Sequence, residues 1–328
     1  MRRREFITLL SGAAAWPLAA RAQQGDRMPL VGVLYGTSAA DWADRMADVR
    51  RGLAETGFVD GRNVVIEYRW ANGQPEQMPW MAADLIARRA AVILTGGNTT
   101  AVRAMVTAMQ TVPIVFTTGA DPIEAGLVAS LSRPGGNATG VTLVSSELGP
   151  KKLELLHEIV PGTKKIAVLV NQNNPATSRP DVRSAHAAAA RLGLEVIIVN
   201  GGSENELETA FATAVQQGAG ALLVGSDALF ILRRERITAL ALRHRLPMVS
   251  SGRNNAKAGH LVTYGAVDGE MYRQAGIYLG RILKGEKPAG LPVVQPTRFE
   301  LVVNLKTAKA IGLEIPPTLI ARADEVIE

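Results

Sequence analysis

From Met28 onward, short apolar runs alternate with longer stretches in which apolar residues recur every three or four positions. Leu30-Val31-Gly32-Val33-Leu34-Tyr35 is apolar on both alternating faces, the pattern of a parallel strand covered on both sides. Trp42, Met46, Val49 and Leu53 then fall on one face of a helix that Gly57 is placed to end. Further strands are predicted over 64–68, 91–95 and 112–117, with helices over 76–89 and 99–110. The turn-rich Arg133-Pro134-Gly135-Gly136-Asn137 and a short strand over 140–144 precede a second series of the same rhythm. Its strands are expected over 165–171, 194–200, 219–225 and 247–251, with helices starting near Ala176, Glu204 and Ala228. The tail carries a predicted helix over 268–284 and a strand over 299–304.

Strands that alternate this regularly with helices imply α/β architecture, here two doubly wound parallel-sheet lobes with a hinge. The expected division is 28–143 plus about 265–328 for lobe 1 and 144–264 for lobe 2. Such sheets bind ligands at the carboxyl ends of their strands, so paired lobes share one cleft.

Those strand ends carry small, hydroxylic and amide groups. In the first series they are Tyr35, Gly36, Thr37 and Ser38, then Gly96 to Thr100, then Thr117, Thr118 and Asp121. In the second they are Asn171, Asn173 and Asn174, then Ser203, Ser226 and Asp227, and finally Ser250, Ser251 and Arg253. Asn98 and Thr99 open a helix, where free N–H groups cradle a carboxylate or simply receive a cap. Asp121-Pro122-Ile123-Glu124 reads as a capping sequence or as a carboxylate for an ammonium. Asn171 and Asn174 are turn residues or ligand contacts, and Asp227 is a cap or the partner of a buried amine. Tyr35, Trp42, Phe230 and Tyr264 fill the core or stack on a ligand. Arg233-Arg234-Glu235-Arg236 is a solvated helix face or a docking surface.

Composition removes whole classes of chemistry. With no cysteine in 328 residues there is no thiol nucleophile, disulfide, thiolate metal site or lipid-modified N-terminus. The four histidines, His157, His186, His244 and His260, lack the close helical spacing of a zinc-protease motif, so neither metal nor cofactor is expected. No nucleophile with its base is evident, so no catalytic residue is assigned.

The first 22 residues read as a removable export signal. Arg3-Arg4-Glu5-Phe6-Ile7 resembles the twin-arginine pattern, an apolar run over 9–20 follows, and Ala20-Arg21-Ala22 resembles a cleavage site. The run is shorter than the roughly 20 residues that a membrane span needs. Removing this segment leaves 32 basic and 29 acidic residues, a net charge of +3. With no basic stretch interleaved with aromatics, nucleic acid is not an expected partner. The expectation is an exported monomer in the periplasm, cleaved near Ala22.

Longer motifs carry a resemblance. They are Gly61-x-Asn63-Val64-x-Ile66-Glu67-Tyr68-Arg69-Trp70-Ala71, Pro113-Ile114-Val115-Phe116, Asp121-Pro122, and Gly126-Leu127-Val128-Ala129-Ser130-Leu131-x-Arg133-Pro134-Gly135-Gly136-Asn137-x-Thr139-Gly140-Val141. Later come Tyr272-Arg273-Gln274-Ala275-Gly276, Gly280-Arg281-Ile282-Leu283-Lys284-Gly285, and the tail Phe299-Glu300-Leu301 to Lys309. Together they resemble the extracytoplasmic substrate-binding proteins of ABC transporters, in the group that includes tryptophan-binding members. The resemblance implies a type I periplasmic-binding fold that closes like a hinged clamp on a small molecule. It implies delivery of that molecule to an ABC transporter permease. A periplasmic subunit that reports ligand to a membrane receptor, or an enzyme on the same scaffold, are the alternatives. The expected ligand contacts are Tyr35, Thr37, Ser38, Asn98, Thr99, Thr117, Asp121, Asn171, Asn174, Asp227, Arg253 and Tyr264.

Overall fold

Strand β1 (Leu30–Tyr35) sends Val31, Val33 and Tyr35 into one apolar cluster and Leu30 and Leu34 into another on the opposite face. This two-sided burial is what its unbroken apolar run requires. The computed structural model describes residues 28–143 and 148–328. The predicted export signal lies outside the described residues. The first sheet also contains β2 (Val65–Trp70), β3 (Val92–Gly96), β4 (Ile114–Thr118) and β5 (Ala138–Thr142), in the order β2-β1-β3-β4-β5, all parallel.

The second sheet starts from β6 (Lys165–Val170), which repeats the device: Ile166, Val168 and Val170 enter one cluster, Ala167 and Leu169 the other. Around it run β7 (Glu195–Asn200), β8 (Ala221–Val224), β9 (Met248–Ser250) and β10 (Val262–Ala266). β11 (Phe299–Asn304) and β12 (Glu325–Ile327) complete the order β12-β11-β10-β9-β8-β6-β7.

The tail departs from the expected division at 265–328. Its helix, Asp268–Leu283, does pack on lobe 1, against the helix Ala39–Glu55. The crossing is very close: a Cβ on Gly52 would meet the Arg273 carbonyl oxygen at 1.8 Å, and one on Gly276 would meet that of Val49 at 2.0 Å. An Arg273–Glu55 ion pair at 2.5 Å flanks the contact. Residues 299–327, in contrast, belong to the second sheet, because β11 pairs antiparallel with β10. Leu301 and Val303 thereby join Val262 in the second core. The chain therefore changes lobes three times: after β5, after β10, and between Val294, which bridges to Val141, and β11. Among the described residues, no helix is long and apolar enough to cross a membrane.

Candidate functional site

The carboxyl ends of both sheets face a cleft between the lobes. Lobe 1 contributes Trp42, Arg45, Gly97, Thr99, Thr117 and Thr118, with Asp268 and Tyr272 from the tail helix. Lobe 2 contributes Asn174, Thr177, Asp227, Phe230, Ile231, Ser250, Ser251 and Asn255. Gly97, with φ +89°, lets the turns after β1 and β3 touch: a Cβ there would lie 2.8 Å from the Gly36 nitrogen.

Asp227 caps the helix Ala228–Leu232 and lines the cleft at the same time. Its Oδ1 accepts from the Leu229 N–H at 2.9 Å and from Asn171 Nδ2 at 3.0 Å, while Oδ2 accepts from Asn174 Nδ2 at 2.9 Å. Among the described residues, no cation stands within ion-pair distance of it. Burial pushes its pKa up, and the Asn171 and Asn174 amides pull part of the way back. The capping and cleft roles first weighed as alternatives thus coexist in one carboxylate.

The lobe 1 wall is aromatic and cationic. Trp42 lies against Tyr35, with ring centroids 3.8 Å apart, and meets Tyr272 edge-on at 5.0 Å. The Arg45 guanidinium, 5.1 Å from the Trp42 ring and 5.5 Å from that of Tyr272, donates to Asp268 Oδ2 from Nη2 at 2.9 Å and from Nε at 3.3 Å. Such an aromatic wall favours a flat apolar group.

The predicted contacts divide between several locations. Thr99, Thr117, Asn174 and Asp227 line the main cleft. Thr37, Asn98 and Asn171 line a polar side pocket that shares Asp227. Tyr35 is fully buried behind the wall, its hydroxyl 3.1 Å from Thr117 Oγ1, and Asn98 spends its side chain capping the Ala101 N–H. Asp121 lines neither cavity; its carboxylate accepts the N–H groups of Ile123 at 2.7 Å and Glu124 at 3.0 Å. Ser38, which precedes the helix Ala39–Glu55, also lines neither. Arg253 pairs with Glu325 at 2.6 Å, and Tyr264, half-buried against the second core, stacks on the exposed Phe299. Arg45, Asp268 and Tyr272 escaped the sequence reading because the charged pair is separated by 223 positions.

This architecture defines a two-lobed protein that encloses a small solute. Residues 38–327 match the family described as ABC transporter substrate binding protein, and the chain belongs to that family. It is a solute-binding protein that captures a small molecule between its lobes and serves an ABC transporter permease, and the family is extracytoplasmic. A tyrosine-binding protein of Clostridioides difficile (strain R20291) is 27% identical over 264 residues, covering 80% of this chain and 75% of the relative. An ABC domain from Streptococcus pneumonia in complex with L-Trp is 25% identical with a TM-score of 0.83, covering 92% of this chain and all of the other. The ligand-free, open structure of a Clostridium difficile substrate binding protein with adhesive properties shares the fold at 24% identity. Its TM-score is 0.65, and the match covers 91% of this chain and 99% of the other.

Proposed function

We propose that the protein captures an α-amino acid with an aromatic side chain, holding its ammonium group at Asp227. The observation that carries this reading is the half-buried Asp227 carboxylate, hydrogen-bonded by two amides yet without a cation within ion-pair distance among the described residues. An ammonium supplies the missing charge at a site where an unpaired carboxylate is costly. Trp42, Tyr272 and Phe230 offer the side chain an apolar, stacking environment. The tyrosine-binding relative and the L-Trp complex support the same ligand class.

The protein works as a binding module rather than an enzyme, as an exported monomer freed of its first 22 residues, with no nucleic-acid partner. Closure on the ligand supplies the signal to the permease.

Calorimetry with L-tyrosine, L-tryptophan and L-phenylalanine, set beside the matching acids that lack the amine, tests the reading. Binding of the amino acids alone supports it. Equal binding of 3-indolepropionate and L-tryptophan refutes it.

A further inference from the structure

We propose that Lys152, buried behind the cleft wall, governs recognition of the ligand's carboxylate through the hydroxyl of Ser251. The inference rests on the amino-acid reading above. Lys152 lies on the helix Gly149–Ile159, is 2% exposed, and donates from Nζ to Ser251 Oγ at 3.0 Å. An ammonium has only donors, so the serine oxygen accepts and its own proton must go elsewhere. Among the described residues, no acceptor takes that proton, and Ser251 lines the cleft. Burial lowers the Lys152 pKa and the Asp181 charge pulls part of the way back; in its ammonium form Lys152 polarises the Ser251 O–H from behind, making it a donor suited to an anionic oxygen.

The other buried cation at the cleft is differently placed. Arg45 is already neutralised by Asp268 at 2.9 Å, whereas no carboxylate among the described residues comes within ion-pair distance of Lys152. Asp181 acts on Lys152 through space and spends its Oδ2 on the Ser226 N–H at 2.6 Å. Lobe 2 therefore offers two poles: a carboxylate at Asp227 and a charge-backed donor at Ser251. A zwitterion carries the matching pair. The helix start at Asn98 and Thr99 is the other candidate for the carboxylate: Asn98 caps Ala101 and faces the side pocket, while Thr99 lines the main cleft.

The test measures L-tryptophan and tryptamine, which lacks the carboxylate, against the parent, Lys152→Met, Ser251→Ala and the double variant. Each single change should weaken L-tryptophan about 10-fold or more, as expected for a lost charge-assisted hydrogen bond, and leave tryptamine within about twofold. The double variant should lose no more than the worse single one, because both changes remove the same interaction. Equal weakening of both probes would make Lys152 a structural residue and overturn the proposal, as would additive losses or unchanged L-tryptophan binding. Ser251→Ala leaves the buried charges in place and decides the matter if Lys152→Met does not fold. A parent protein that binds neither probe refutes the amino-acid reading itself, and the proposal with it.

Discussion

The Thr100 hydroxyl, in lobe 1, donates to Asn174 Oδ1 in lobe 2 at 3.2 Å, and the same amide donates through Nδ2 to Asp227 Oδ2 at 2.9 Å. One asparagine thus joins a contact between the lobes to the carboxylate that faces the cleft. Here the amide is held from both lobes, and it in turn holds Asp227. A second bridge, Arg183 to Glu124 at 2.9 Å, spans the lobes at the exposed surface, where its contribution is at most about 1 kcal/mol.

Thr100→Val removes the inter-lobe donor at nearly constant volume. A hydrogen bond of this kind contributes about 1 kcal/mol net, so L-tryptophan affinity should fall roughly fivefold. The loss should appear as faster ligand release in stopped-flow fluorescence, with the melting temperature of the ligand-free protein unchanged. A drop in melting temperature with unaltered release would place Thr100 in lobe 1 stability instead.

Asp227→Asn should weaken amino-acid binding by at least about 30-fold, by analogy with truncated buried charge pairs. The ligand-free variant should melt close to the parent, since the relief of a half-buried, unpaired charge offsets the hydrogen bond lost where the new amide NH2 faces the Asn174 Nδ2 donor. The pH dependence follows from the raised pKa of this carboxylate. Affinity depends on its ionised form, so in the parent it should fall as pH drops through that pKa, and it should be flat in the variant. The ligand-free fold behaves oppositely: a carboxyl whose pKa is higher folded than unfolded favours the folded state increasingly as it protonates.

The alternation of apolar runs made both lobes legible, because strands buried on two faces, such as β1 and β6, have almost no other composition open to them. The tail was harder to read. β11 is a short strand that either sheet could accept, and only pairing with β10 places it in the second. Strand ends supplied Thr99, Thr117, Asn174 and Asp227, since chain order alone puts them at the cleft. Arg45 and Asp268 meet because two lobe 1 helices cross at glycines, a relation that local spacing does not encode.

His260 is fully buried, with Nδ1 2.7 Å from Ser250 Oγ, and burial pushes its pKa down from 6.5 to about 4. The folded protein therefore binds fewer protons here than the unfolded chain. The associated stability is complete above pH 6.5 and is lost as pH falls towards 4, a change on the order of 3 kcal/mol. Denaturant melts at pH 7 and pH 4.5 should show His260→Gln losing less than the parent over that interval. Asp181 and Asp227 titrate with the opposite sign in both proteins, so the difference between the two isolates the imidazole.

Export is tested at the N-terminus. Changing Arg3 and Arg4 to Lys should leave the protein in the cytoplasm at its uncleaved mass, because twin-arginine export depends on the arginine pair. Normal periplasmic accumulation of the shorter form would rule out that route.

Closure itself has a solution signature. The lobes are linked by three crossings, so they rotate about a few backbone positions while each keeps its own core. A ligand held at once by Trp42 in lobe 1 and Asp227 in lobe 2 binds the closed form better, and it shifts the population only by that difference in affinity. Small-angle scattering should therefore give a smaller radius of gyration with saturating L-tryptophan than without it. Asp227→Asn at the same ligand concentration should stay near the ligand-free value, since the lobe 2 anchor is lost. An unchanged radius in the parent at full occupancy would argue for a rigid site, unless the lobes are already closed without ligand. In that case Thr100→Val, by weakening the inter-lobe contact, should restore a measurable contraction on binding.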